Sequence, residues 1–225
     1  MSLIDHLSVS QINMFSRCEF QWFFRYIEKL KIIPSSALIR GKAVHSGLAD
    51  IYYSKQKENK YYPDRVVDIV AESVEKSDEQ EDVKWDKPKD KTKDIAVKLI
   101  SSYINNNYPD AIESASIEQV EQRIDYNLFT DKGEDFKIIG YPDLILKDRI
   151  VDFKTANRKP SGIDMQYKFQ TAFYTTVTEK NNIELQYLIA KKEPEIITLS
   201  SSVDNNIKAI SRNIFIKTYK KIKAS

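Results

Sequence analysis

Apolar residues recur at helical spacing through the first half of the chain and at strand spacing through much of the second. Ser8 or Ser10 can cap a first helix in which Ile12, Phe15, Phe20, Phe23, Phe24 and Ile27 form a buried stripe, and Pro34 breaks it. A second helix is predicted from Ser36 to Lys57, with Leu38, Val44, Leu48 and Ile51 as its apolar face. From Asp64 to Glu81 polar residues surround Val66, Val67, Ile69, Val70 and Val74, the pattern of a thinly anchored helix. Asp82 to Lys93 is charged, contains Pro88 and reads as a loop. A further helix carries Ile95, Val97, Leu99, Ile100, Tyr103 and Ile104 to about Asn107, and Pro109 ends it.

After Ser116 the period shortens. Val120, Ile124, Tyr126, Leu128 and Phe129 read as one strand, closed by the turn Asp131-Lys132-Gly133-Glu134-Asp135. Phe136 to Leu146 reads as a second, interrupted at Pro142, where a proline favours an edge, a bulge or a strand end. Lys147-Asp148-Arg149 turns into a third, Ile150 to Thr155. A helix from Ile163 to Lys180, strands at Leu185 to Ala190 and Ile196 to Leu199, and a closing helix from Val203 to Lys221 complete the pattern. The expected fold class is α/β (α+β), with a helical portion over residues 1–115 and a sheet-containing core over 116–225. Because the helical block shows no separate core of its own, one domain over 1–225 is expected.

Composition narrows the class without naming a function. The chain has 225 residues, 41% hydrophobic and 30% charged, enough for one substantial core and unlike a disordered chain. A net charge of +2 offers no global basic excess, so any affinity for nucleic acid must rest on local clusters. Lys217, Lys220, Lys221 and Lys223 form a basic tail that reads first as a solvated helix end. The single cysteine, Cys18, excludes an internal disulfide and fits a reducing compartment. No signal-like segment and no apolar run of roughly 18 residues stands out, so a cytoplasmic protein with no membrane contact is expected.

Candidate chemistry lies in the third strand. Asp152 and Lys154 are two apart and share a face, while Ile150, Val151 and Phe153 mark the strand as largely buried. Charges in such a strand need partners. Asp143 closes the bend Gly140-Tyr141-Pro142-Asp143 and can bring a second carboxylate beside the first. Two buried carboxylates repel unless protonated or bridged by a cation, and a hard divalent ion with oxygen ligands resolves the conflict. His45 lies one turn after Gly41, a residue that permits close approach by another part of the chain. Gln170 and Tyr174 are one helical turn apart on a face that also bears Gln166.

In this order the residues resemble the RecB-like branch of the PD-(D/E)XK nuclease superfamily, which includes AddB-type, CRISPR-associated and phage exonucleases and a mitochondrial single-strand exonuclease. The resemblance covers most of the chain: Leu7-Ser8-Val9-Ser10-Gln11 with Cys18, Phe20 and Tyr26, then Gly41 and His45, then the Asp143 bend, Val151-Asp152-Phe153-Lys154-Thr155, and Gln170-x-x-x-Tyr174. It implies a restriction-endonuclease-like mixed sheet flanked by helices and a metal-dependent DNA exonuclease. His45, Asp143, Asp152 and the Phe153 carbonyl would bind Mg²⁺ or Mn²⁺, and Lys154 would act on the attacking water. Gln170, Tyr174, Ser10 and Gln11 would support the site or the substrate, with Glu121 as a possible further carboxylate. DNA would be the partner, with recombination, repair or phage DNA processing as the setting and recombination or repair proteins as possible associates. Several relatives hold an iron–sulfur cluster through four cysteines. With Cys18 alone none is expected here, and Cys18 is expected to be a small buried residue. The rival reading is a catalytically inactive nuclease-fold DNA-binding subunit, and Tyr52, Tyr53, Tyr61, Tyr62 and Trp85 are the candidate base-stacking surfaces.

Overall fold

The computed structural model describes residues 6–80, 82–129 and 135–224. Of the turn expected at 131–135, residues 131–134 lie outside them, and Asp135 opens a strand. The elements run β1 (His6–Ser8), α1 (Val9–Arg17), α2 (Glu19–Tyr26), α3 (Ser36–Glu58), α4 (Pro63–Glu75), α5 (Ser77–Gln80), α6 (Lys89–Asn105), β2 (Ile117–Val120), β3 (Ile124–Phe129), β4 (Asp135–Gly140), β5 (Leu144–Leu146), β6 (Arg149–Ala156), α7 (Met165–Thr178), β7 (Asn182–Ile189), β8 (Glu195–Ser202) and α8 (Asn205–Ala224).

Two mixed sheets form, ordered β1-β4-β3 and β2-β5-β6-β7-β8. In the larger one β6 is central. It pairs antiparallel with β5 and parallel with β7, and α7 makes the crossover to β7. Its two faces meet different layers. Val151 and Phe153 join the core built with α3, α4 and α6, whereas Ile150 joins the core under α7 and α8. This arrangement agrees with the expected restriction-endonuclease-like α/β class, and the helical block shares its core with the sheet.

Several details differ from the sequence reading. The first helix is two, broken at Cys18, whose extended backbone (φ −160°) ends α1 and caps α2. Cys18 is exposed rather than buried, and its Sγ accepts from the Gln21 N–H at 3.5 Å. Phe20, Phe23 and Phe24 are exposed, and Trp22 is the residue that α2 buries, against Phe15. Leu38, assigned to the apolar face of α3, is also exposed. The helix over 63–75 is firmly anchored, because Val66, Val70 and Val74 are fully buried against α3 and α6. Gly47 makes this approach possible: a Cβ there would lie 2.5 Å from Val70 Cγ2. The segment read as a loop is tied to the start of α3, with the Ser36 N–H donating to Asp86 and Lys84 N–H to the Pro34 carbonyl. Its last residues already belong to α6.

The strands predicted as single runs at 120–129 and 136–146 each split between the two sheets. β3 and β4 pair in the smaller sheet, while β2 and β5 pair in the larger. β1, absent from the sequence reading, runs parallel to β4.

Candidate active site and metal-binding cluster

The register of β5 on β6 does most of the positioning. Leu144 faces Val151 in an antiparallel pair, so Asp143, one residue before β5, falls beside Asp152. The Asp143 Oδ2 accepts the Phe153 N–H at 2.6 Å, which fixes this carboxylate against the strand. Gly140 lets the bend sit on α7: a Cβ there would approach the rings of Tyr174 and Phe173 to 2.7 and 2.9 Å. Tyr174 Oη then donates to the Tyr141 carbonyl at 3.1 Å and accepts from Gln170 Nε2 at 3.1 Å.

On the α7 face of β6, Asp152 is 2% exposed. Its Oδ2 pairs with Lys154 Nζ, and its Oδ1 accepts from Gln170 Nε2 at 3.3 Å. Lys154 Nζ also lies 4.9 Å from the centre of the Tyr167 ring. The helix α3 brings His45 to the other side of the bend, with Nδ1 3.3 Å from Asp143 Oδ1. Gly41 permits this approach, since a Cβ there would touch Thr155 Oγ1 at 3.2 Å. Glu121 follows β2 with a left-handed backbone (φ 46°), and its N–H donates to the Asp143 carbonyl at 2.9 Å.

Ligand atoms of His45, Glu121 and Asp143 lie within 4.8 Å of one another. One imidazole nitrogen and two carboxylates suit Mn²⁺ well and Mg²⁺ acceptably. Asp152 stands next to this trio but turns one oxygen to Lys154. Glu121, expected from the sequence only as a possible further carboxylate, belongs to this cluster. His45, Glu121 and Lys154 line a single open cleft of about 730 Å³ together with Leu38, Lys42 and Thr155.

Burial sets the protonation pattern. It pushes the Asp152 carboxyl up to about 6, against the attraction of Lys154. Burial opposes the Lys154 charge too, but Asp152 and Asp143 outweigh it and hold the ammonium well above its ordinary pKa. For Asp143 burial is likewise the largest effect, yet the hydrogen bond and charge of His45 prevail and keep the carboxyl below its usual range. His45 is raised in return: burial disfavours the imidazolium, and Asp143 more than compensates. Glu121 is raised by shielding of its carboxyl end and by the charge of Asp143. The cluster is therefore rich in carboxylates that His45 and Lys154 draw together, a role a divalent cation would take over.

Ser10 and Gln11 sit elsewhere. Gln11 completes a capping box with Ser8 at the start of α1, and Ser10 Oγ bonds Ser8 Oγ at 2.8 Å. Their link to the site runs through α1, where Asn13 Nδ2 donates to the Gln166 carbonyl on α7. Of the aromatic residues considered for base stacking, Tyr52 is buried in the core, and Tyr61 and Trp85 are half-buried against it. Tyr53 and Tyr62 are exposed. Sequence reasoning missed Tyr167, and it gave Thr155 no role beyond ending the β6 motif. Tyr167 lies one helical turn before Gln170, so its spacing carried the signal.

The family model described as the PD-(D/E)XK nuclease superfamily matches residues 6–218. No curated protein sequence matches the chain. Among solved structures, "Putative exonuclease" from Eubacterium rectale is similar at 18% identity and a TM-score of 0.64, over 98% of this chain and 82% of that one. A "phage related exonuclease" from Haemophilus somnus 129PT is 12% identical over 87% of this chain and 95% of that one, with a TM-score of 0.35. Among the described residues, no helix is long and apolar enough to cross a membrane.

Proposed function

Because this chain belongs to the PD-(D/E)XK nuclease superfamily, we propose that it is a metal-dependent DNA exonuclease of the RecB-like branch, folded as one domain. The observation that carries the proposal is that two adjoining sets of groups meet at one cleft, which His45, Glu121 and Lys154 line. His45, Glu121 and Asp143 form a ligand cluster, and Asp152 with Lys154 forms a buried charged pair beside it.

His45, Asp143 and Glu121 would hold the ion, with Asp152 and the Phe153 carbonyl completing the set. The ion would supply a water of lowered pKa and neutralise charge on the scissile phosphate. Asp143 is held for this task at both ends, by the Phe153 N–H and by His45. The charges of Asp152 and Asp143 favour the ammonium form of Lys154, so it would serve as a hydrogen-bond donor and positive charge beside the attacking water. Gln170 holds Asp152 in place and is itself oriented by Tyr174. Such a site hydrolyses phosphodiesters by direct attack of water, with no covalent enzyme intermediate. Recombination, repair or phage DNA processing is the setting consistent with this chemistry.

The test is digestion of end-labelled single- and double-stranded DNA with Mg²⁺, Mn²⁺ or chelator, by the wild type and by Asp152→Asn. Stepwise release of mononucleotides that needs the ion and is lost in the variant is expected. Full activity in Asp152→Asn would remove the catalytic assignment. Efficient nicking of closed circles without release from ends would replace exonuclease by endonuclease. Ion-independent binding with no cleavage would favour the inactive subunit.

A further inference from the structure

Among the described residues, exposed large apolar side chains concentrate in one stretch. On α2, Phe20 is 76% exposed, Phe23 40% and Phe24 47%. Leu30, Ile32 and Ile33 continue the exposure along the link to α3, and Leu38 ends it. Single exposed apolar residues are ordinary, but a run of them marks a surface that something covers. The fold does not use these rings. The helix α2 is held through Trp22, which is buried against Phe15, while Phe23 and Phe24 touch each other edge to face at 5.7 Å.

The two ends of the stretch identify the occupant. Beside Phe20, at the corner between α1 and α2, a cleft of about 480 Å³ opens against α8 and is lined by Arg17, Lys217 and Lys221, with one carboxylate, Glu19, whose Oε1 lies 3.2 Å from Lys221 Nζ. At the far end, Leu38 lines the cleft that holds His45, Glu121 and Lys154. Between them Arg25, Lys29 and Lys31, against the single carboxylate of Glu28, are interspersed with the apolar positions. Aromatic faces interleaved with cations suit unpaired bases and their phosphates. A second copy of this chain would set the same cations against one another, and a purely apolar protein partner would leave them unused.

We propose that Phe20 to Leu38 is a docking path for single-stranded DNA. Phe20, Phe23 and Phe24 stack unpaired bases, Arg17 with the basic residues of α8 and the link holds phosphates, and the strand is led to the catalytic cleft at Leu38. The proposal rests on reading that cleft as a DNA nuclease, but binding is measured apart from cleavage.

The experiment is fluorescence anisotropy with labelled oligothymidylate in chelator, on the full chain and on the triple variant Phe20→Ser, Phe23→Ser, Phe24→Ser. Three surface rings should be removable without unfolding, which circular dichroism checks. Affinity for the oligonucleotide is expected to fall at least about tenfold, with little change for a strand of equal length that lacks bases. Unchanged oligothymidylate affinity overturns the path. Equal losses on both strands overturn it as well, because stacking cannot then be the cause. A wild-type dimer that the variant dissociates, with DNA affinity intact, would assign the rings to self-association instead. Hydrolysis of bis(p-nitrophenyl) phosphate with Mn²⁺, too small to reach the rings, should be equal in both proteins. Its absence from both would count against the catalytic reading alone, and anisotropy would still decide the path.

Discussion

Replacing Tyr103 by phenylalanine removes one oxygen and strands two buried groups. Tyr103 Oη donates to Gln186 Oε1 at 2.7 Å, so its proton is committed, and Tyr52 Oη, 2.6 Å away, must donate to Tyr103. All three residues are at most 4% exposed. Tyr103→Phe leaves the Tyr52 hydroxyl without an acceptor and Gln186 Oε1 without this donor. At about 1–3 kcal/mol for each buried orphan, with some relaxation, the cost is about 2–4 kcal/mol. Tyr52→Phe removes only the terminal donor while Tyr103 still donates to Gln186, for about 0.5–1.5 kcal/mol. In the double variant only Gln186 is stranded. Tyr52→Phe should therefore change sign and stabilise the Tyr103→Phe background by about 1 kcal/mol. Urea unfolding followed by far-UV circular dichroism measures all four corners of this cycle, provided the m-values agree. Additive losses, or a Tyr52→Phe cost as large as that of Tyr103→Phe, would refute the donor order and the buried chain built on it.

Gly47→Ala should destabilise by about 1–2 kcal/mol, because the 2.5 Å contact with Val70 outweighs a helix-propensity gain of about 1 kcal/mol; a more stable variant would contradict the close approach of α3 and α4. Gly140→Ala must displace Tyr174 and Phe173, so a stability loss of about 1–3 kcal/mol is expected together with a fall in kcat, and unchanged kinetics would show that the Tyr174 contacts do not position the site. Mn²⁺ at a hundred times its Kd should raise unfolding free energy by about 2.7 kcal/mol in the wild type and far less in Asp143→Asn; an equal shift in both would place the ion elsewhere. The raised Asp152 carboxyl and His45 imidazolium both exclude a cation when protonated. Mn²⁺ affinity measured by calorimetry should thus weaken as pH falls through about 6, whereas affinity independent of pH from 5 to 8 would remove Asp152 and His45 from the ligand set.

The helix α3, the strand β6 and the helix α7 lie close to their expected limits, because capping and turn residues bracket them: Ser35 caps α3, Lys147 and Asp148 precede β6, and Asp164 caps α7. Sheet membership was not legible. Alternation looks the same whichever sheet a strand joins, so Pro142 marked a break between β4 and β5 without revealing that they part company. β1 is three residues long and owes its existence to a partner over a hundred residues away, which no local window contains. Phe20, Phe23 and Phe24 mark a deeper limit. Their spacing reads as a core stripe, and sequence does not distinguish an apolar face covered by the protein from one left open. In the site, the neighbourhood of Asp143 and Asp152 followed from a bend and a short hairpin. The place of Glu121 depends on a left-handed backbone turn at a non-glycine residue, and nothing in the local sequence marks it.

The central strand ties catalysis to stability through its alternation. Asp152 and Lys154 face α7, while Phe153 between them faces the helical block, with the Tyr52 ring stacked on it at 5.7 Å and Tyr103 edge-on at 6.0 Å. The backbone N–H of that same Phe153 holds Asp143. A change in how α3 and α6 seat this ring would therefore move the carboxylate that joins His45 and Glu121. Phe153→Leu keeps the residue apolar but removes both ring contacts. It should cost about 1–2 kcal/mol of stability, within the range for reshaped core side chains. It should also weaken Mn²⁺ binding measured by calorimetry, although no ligand side chain has been altered. If stability falls and Mn²⁺ affinity does not, the helical block supports the fold without positioning the cluster, and His45 alone links the two.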